Sequence, residues 1–241
     1  MSSKPTMVLI LGMHRSGTSC LAGMLKTCGL NLGDEIQTNN RFNPKGNQEH
    51  VPSRKVNWTL MELNGGKWYA PTPIEEIPDR LRVEAQKILK DFDSQGLPFG
   101  IKDPRMLFCL DVWRDERTKL VGTIRHPSLV VQSLERRNAK RSKKVSTDWY
   151  MTWMKYNERL LEIYQASPFP IVNFDWPEPT YTETVKGIAE SLGLDSEESF
   201  FDPELRNEMD IKGSVPESCA TLYDKLSDIA EKEREKILSS T

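Results

Sequence analysis

Residues 7–20, Met-Val-Leu-Ile-Leu-Gly-Met-His-Arg-Ser-Gly-Thr-Ser-Cys, specify a turn that few backbones can make. The apolar run Met7 to Leu11 has the length of a buried parallel strand, and Leu21, Met24 and Leu25 recur at helical spacing after it. Between them Gly12, Gly17 and Ser19 match the phosphate-loop pattern G-x-x-x-x-G-K-[ST], but Thr18 occupies the lysine position and Arg15 carries the charge instead. The order is therefore strand, glycine turn, helix. Backbone amides in such a turn, with the positive end of the helix behind them, form a concave anion site. A lysine at position 18 would reach a β or γ phosphate and support phosphoryl transfer, whereas an arginine within the turn clamps one anion from its side. The plain alternative is an ordinary glycine-containing strand-to-helix turn; three template positions and the flanking periodicity weigh against it.

A second constellation lies in Thr118 to Asn138. The apolar run Leu120 to Ile124 ends in Arg125, and Pro127 suits the first position of a following helix. Ser133 comes eight residues after Arg125, roughly two turns into that helix, so both side chains can face the space above one sheet edge.

Gly12 to Ser19, taken with Arg125 and Ser133, resembles the sulfotransferases that use 3′-phosphoadenosine 5′-phosphosulfate (PAPS), in their bacterial-type and tyrosylprotein-sulfotransferase-like branch. Asn43 to Glu49 (NPKGNQE), Ile101 to Arg105 (IKDPR), Phe174-Asp175 after Ile171-Val172, and Phe201 to Arg206 (FDPELR) are similar to further segments of that family, so the resemblance spans about residues 7–206. It implies that Arg15, Ser16, Gly17, Thr18 and Ser19 bind the 5′-phosphosulfate and that Arg125 and Ser133 bind the 3′-phosphate. PAPS would be the co-substrate, 3′-phosphoadenosine 5′-phosphate (PAP) the product, and no metal is implied. Cytosolic members carry an adenine-stacking tryptophan where this chain has Cys20, which passes that role to Phe174. They also use a histidine after a Lys-Thr step, where this chain reads Lys102-Asp103-Pro104-Arg105.

Sulfuryl transfer to an alcohol needs a base for the acceptor proton and cations for the developing charge. Arg15 and Lys102 are the expected cations. Glu49, after the NPKG turn, leads for the base and His50 follows it. Lys102 and Asp103 could instead be a solvated strand-end pair, Glu49 could simply begin the helix running toward Leu63, and Asp103-Pro104 fits a structural turn into a helix.

Residues 136–144 hold six basic residues in nine, a solvated loop by default and an electrostatic funnel for a nucleotide or an anionic acceptor by position. Trp149, Tyr150, Trp153 and Tyr156 recur at helical spacing, which fits core better than pocket. With 37% apolar and 28% charged residues and a net charge of −2, the chain reads as globular and gives no general attraction to nucleic acid. Cys20, Cys28, Cys109 and Cys219 lack paired spacing, and His14, His50 and His126 form no metal template, so a reducing, cytoplasmic setting is expected. The sequence has no apolar window long enough for a membrane span.

Strands are expected near 7–11, 98–102, 119–124 and 170–174. Helices are expected near 17–28, 48–63, 78–92, 105–114, 127–137, 147–166, 180–192 and 217–238. This alternation predicts a P-loop-containing three-layer α/β/α fold with a mainly parallel central sheet. It reads as a single sulfotransferase-like P-loop domain over 1–241, with its core at about 7–206 and a C-terminal helical extension at about 217–238. Residues 63–78, rich in glycine, proline and aromatics, would line the pocket of a small-molecule or carbohydrate hydroxyl acceptor, and Lys212-Gly213 faintly resembles a late phosphate contact. A P-loop small-molecule kinase and a catalytically silent nucleotide-binding domain are the competing readings; Thr18 in place of lysine disfavours the first.

Overall fold

The computed structural model describes residues 4–36, 45–195, 211 and 214–240. Four strands form one sheet: β1 (Met7–Leu11), β2 (Phe99–Lys102), β3 (Thr118–Ile124) and β4 (Ile171–Asn173). Their order is β2-β1-β3-β4 and every pairing is parallel, with Leu9 opposite both Ile101 and Leu120, and Gly122 opposite Ile171. A parallel sheet needs helical crossovers, and these cover both of its faces. The period-two geometry of β1 shows this directly: Met7, Leu9 and Leu11 enter one core, Val8 and Ile10 the other, and all five are fully buried.

One face carries α1 (Thr18–Thr27) and α7 (Glu178–Ser191). The other carries α2 (Val51–Leu63), α3 (Asp79–Ser94), α4 (Met106–Trp113), α5 (Pro127–Ala139), α6 (Trp149–Ala166) and α8 (Glu217–Ser240). The expected three-layer α/β/α architecture is thus present, with element ends within three residues of those read from the periodicity. Trp149, Trp153 and Tyr156 are buried in the larger core, as their spacing implied. α6 begins later than expected, at Trp149, because the Asp148 carboxylate caps it by accepting from the amides of Tyr150 (2.9 Å) and Met151 (3.2 Å).

The shift that matters most for chemistry is at α2. Its first residue is Val51, with His50 as N-cap in extended backbone and a proline in the first two positions, so Glu49 precedes the helix and does not start it. The chain passes from β1 to β2 on one side and returns to β3 on the other. That reversal opens a crevice at the carboxyl ends of β1 and β3, where open α/β sheets bind their ligands. Residues 201–206, Lys212-Gly213, and Asn43 and Pro44 of the NPKG turn lie outside the described residues.

Candidate functional site

The turn between β1 and α1 stands in this crevice. Gly12 has φ +146°, and a Cβ there would sit 2.7 Å from the Thr123 carbonyl oxygen and 2.9 Å from Thr18 Cγ2. Thr18, at the position where a nucleotide triphosphatase has lysine, therefore tucks its methyl beneath the turn and is buried. Gly17, with φ +84°, is the N-cap of α1, and a Cβ on it would meet the Phe174 ring at 2.3 Å. Arg15 is held in left-handed backbone at φ 70°, a conformation that costs a non-glycine residue about 1–2 kcal/mol. Its surroundings explain how it is kept there. Arg15 Nε donates to Ser133 Oγ (2.8 Å), its carbonyl accepts from Arg125 Nη1 (3.3 Å), and Thr123 Oγ1 donates to the neighbouring Ser16 carbonyl (2.9 Å).

The two anion-binding segments read from the sequence therefore meet. Arg125 leaves the end of β3 buried, its Nε 3.5 Å from Asp175 Oδ1 and its guanidinium carbon 5.2 Å from the Phe174 ring centroid. Asp175 Oδ2 also accepts from the His126 amide (2.6 Å) and from Tyr223 Oη on α8 (3.1 Å). Trp153 Nε1 donates to the Arg125 carbonyl (3.2 Å), which gives that core aromatic a second task. Burial, followed by the charges of Arg125 and Arg136, pushes the pKa of Arg15 down. Like charges gathered this way repel one another, and an anion in the turn would offset that repulsion. The Ser16 hydroxyl, fully buried without a hydrogen-bond partner among the described residues, is a further donor suited to that anion. Phe174 lies against Gly17 and edge-on to Tyr181 (5.6 Å), so its ring braces the turn.

Lys102 closes the third side. From the end of β2 its Nζ donates to Glu49 Oε1 (3.0 Å), to the Asn47 carbonyl (2.9 Å) and to Ser19 Oγ (3.3 Å), while Ser19 Oγ donates to the same carbonyl (3.0 Å). Lys102 and Asp103 are not a solvated pair: both are buried, and they point to different partners. Asp103 accepts from the Arg105 amide (3.0 Å) and Nε (2.9 Å) and from Asn57 Nδ2 (3.1 Å), a structural knot at the start of α4. Glu49 Oε2 has Arg105 Nη2 at 3.9 Å and no hydrogen bond among the described residues.

His50 goes elsewhere. Its Nδ1 lies 2.7 Å from Ser53 Oγ and its ring meets Phe92 edge-on at 5.1 Å. It lines a separate cleft of about 360 Å³ with Gly33, Asp34, Glu35 and Asp91. Burial lowers its pKa against the opposing pull of Glu35, Asp34 and Asp91. The extended peptide at Glu49-His50 sends the two side chains to opposite sides, so the structure joins Glu49, and not His50, to Lys102 and the turn.

His14, Arg105 and Tyr223 received no role from the sequence, whereas Trp68 and Arg137 lie in the segments 63–78 and 136–144, expected respectively to line the acceptor pocket and to draw in a nucleotide or an anionic acceptor. His14 belongs to the turn itself, meets Trp68 (5.0 Å) and Tyr156 (5.9 Å) edge-on, and keeps a buried Nε2 without a hydrogen-bond partner among the described residues. Burial, then the charges of Arg137, Arg105, Lys102 and Arg15, hold its pKa well below the usual range, so the ring is neutral near pH 7. Its signal was its place between two matched glycines. For Trp68 and Tyr223 no local pattern existed, because their partners come from distant elements. Among the described residues no group of His, Cys, Asp and Glu side chains is arranged to hold a metal ion.

No family model matches the sequence, and no curated protein matches it either. Solved structures do. The sulfotransferase domain from the Synechococcus PCC 7002 olefin synthase aligns over 94% of this chain and 96% of its own, at 15% identity and a TM-score of 0.55. The chain has the fold of a sulfotransferase domain. A sulfotransferase domain from the curacin biosynthetic pathway aligns over 99% of this chain and 98% of its own, at 17% identity and a TM-score of 0.46. At such low identity the sulfotransferase likeness is one of backbone, and the chemistry rests on this chain's own side chains.

Proposed function

We propose that this protein is a sulfotransferase that moves a sulfuryl group from PAPS to the hydroxyl of a small-molecule or carbohydrate acceptor. The observation that carries the reading is the convergence of Arg15, Arg125 and Ser133, residues distant in sequence, through the Arg15 Nε to Ser133 Oγ and Arg125 Nη1 to Arg15 carbonyl contacts. A nucleotide with phosphates at both its 5′ and 3′ positions needs two neighbouring anion sites, and Thr18 leaves no lysine for a triphosphate at the first.

The donor supplies an activated sulfuryl group whose leaving phosphate requires no proton. Arg15, Ser16, Gly17, Thr18 and Ser19 would bind its 5′-phosphosulfate, while Arg125 and Ser133 bind the 3′-phosphate and distinguish it from a nucleotide lacking that group. Phe174, whose ring packs beside Gly17 and Arg125, would take the adenine. Arg15 and Lys102 offset charge building on the transferred group. Glu49 has Oε1 anchored by Lys102 and keeps Oε2 to accept the acceptor's hydroxyl proton as the new oxygen–sulfur bond forms and the electron pair of the broken bond leaves with the phosphate. On this reading residues 1–241 are one sulfotransferase-like unit.

The test is a thermal-shift titration with PAP, with and without chelator. PAP should raise the melting temperature by mass action equally in both, with stabilisation of about 2.7 kcal/mol at a hundredfold excess over its Kd. Stabilisation by ATP with magnesium and none by PAP rejects the proposal.

A further inference from the structure

Donor binding and proton removal use Arg15, Arg125, Ser133, Lys102 and Glu49; beside them stands a cluster with no part in either task. Arg137 is four residues beyond Ser133 on α5, on the same helical face. Its guanidinium carbon lies 4.6 Å from the ring centroid of Trp68, and that of Arg141 lies 5.7 Å from the same ring. Trp68 in turn stacks on Trp149 at 5.7 Å and 27°, and its backbone carbonyl accepts from Tyr156 Oη at 2.8 Å, so the ring is fixed from two sides. Both Trp68 and Arg137 are half-buried and retain exposed surface.

The charge balance of this cluster differs from that of other arginines in the protein. Arg105, Arg117 and Arg125 each have a carboxylate oxygen within 3.5 Å, at Asp103 (2.9 Å), Asp115 (2.9 Å) and Asp175 (3.5 Å). Arg137 has no ion pair among the described residues, although burial and the like charges of Arg15 and Arg141 push its pKa down to about 10. Keeping a half-buried cation beside two others without a counter-ion is costly, and an incoming anion would recover that cost through charge-assisted, forked hydrogen bonds. The position of the deficit names the ligand. Trp68 comes from residues 63–78 and meets the donor turn edge-on through His14 (5.0 Å), so the cluster borders the donor site. Arg137 feels both Arg15, on the donor side, and Glu49, the base. An anion held there lies on the acceptor's side of the transfer.

We infer that Arg137, assisted by Arg141 and backed by Trp68 and Trp149, is an acceptor subsite that selects hydroxyl compounds carrying an anionic group on a flat, apolar body. This rests on the sulfotransferase reading for the name of the ligand, but not for the anion selectivity itself. The guanidinium groups bind the anion, the part of Trp68 that stays exposed packs against the body, and the hydroxyl is left to reach Glu49.

A matched pair of probes, para-hydroxyphenylacetate and its neutral amide, tests this by calorimetric titration of the intact protein with and without saturating PAP. The wild-type protein should bind the carboxylate about tenfold more tightly than the amide, as a charge-assisted contact implies. Arg137→Gln should bring the two within about twofold of each other while its PAP affinity stays within about twofold of wild type, and Arg137→Lys should keep part of the preference. Equal affinities in the wild-type protein, or binding of neither probe, overturns the subsite, as does a preference that survives in the Arg137→Gln, Arg141→Gln double variant. A protein that selects the carboxylate but binds no PAP rejects the donor reading and keeps the anion site.

Discussion

At the residue scale the site depends on side chains that serve two purposes, which shapes what a substitution reports. Glu49 is both the candidate base and the counter-ion of buried Lys102. Glu49→Gln keeps an oxygen for the Lys102 hydrogen bond while removing the basic group. Turnover should fall roughly a hundredfold or more with PAP affinity nearly intact, since loss of a general base acts on the transition state. Both Glu49→Gln and Glu49→Ala leave buried Lys102 without its carboxylate, a loss of up to about 3–5 kcal/mol, but only the alanine also removes the hydrogen-bond acceptor, so stability is measured beside turnover. Single-turnover rates with labelled donor, measured beside nucleotide affinity, separate the two; near-native turnover in Glu49→Gln removes Glu49 from the chemistry. Arg125 and Ser133 both touch Arg15, so their alanine variants would disturb the proposed 5′-phosphosulfate site as well as the proposed 3′-phosphate site.

At the scale of elements, α8 is more than an appended helix. It packs beside β4, α6 and α7, and its Tyr223 reaches the β4 end. There the hydroxyl donates to Asp175 Oδ2 and accepts from Asn173 Nδ2 (2.9 Å), while Asn173 Oδ1 accepts from the Asp175 amide (2.9 Å). Asp175 in turn faces Arg125, which makes Tyr223 a candidate positioning residue for the proposed 3′-phosphate site. Tyr223→Phe keeps the ring contact with His126 and removes only this hydroxyl. The ratio of affinities for PAP and adenosine 5′-phosphate should drop about threefold to tenfold, in line with the net worth of about 0.5–1.5 kcal/mol for a typical hydrogen bond acting through Asp175. A lower melting temperature with an unchanged ratio would make Tyr223 a docking contact for α8 and nothing more.

At the scale of the whole molecule, the three histidines tie stability to pH. Burial lowers the pKa of His14, where nearby cations add to it, and of His50 and His126, where carboxylates oppose it. In the unfolded chain each imidazole takes a proton near pH 6.5. The unfolded state thus binds more protons as pH falls through that value, so the stability these groups give is complete above about pH 6.5 and declines below it toward the lowered folded values. His14→Gln should flatten the fall in denaturant-measured stability between about pH 6.5 and 5.5, by up to about 1.4 kcal/mol per pH unit for one proton. An unchanged slope would mean that the folded protein protonates His14 in place.

How much of this was legible depended on the range of the interaction. The strand, turn and helix at 7–27, the proline start of α5 and the α/β alternation follow from local rules: period two, period 3.6, glycine at positive φ, and proline's fixed backbone. Those rules also explain why Lys102 ends a strand and Arg15 and Arg125 follow shortly after one, and so all three fall at one edge of a parallel sheet. They cannot say which side chains cross the gap between elements. Glu49 and His50 are adjacent, the first and second candidates for the base; only the extended peptide before α2, set by packing, sends one toward Lys102 and the other toward Phe92. Trp68 sits in a segment with no periodicity, and its meeting with Arg137 needs α5 and α6 to be in place. The sequence by itself determined the backbone and the charges that line the sheet edge, because both are encoded within a turn or two of chain. The tertiary structure alone decided which charges are neutralised and which are left for a ligand, because that balance is struck between residues dozens of positions apart.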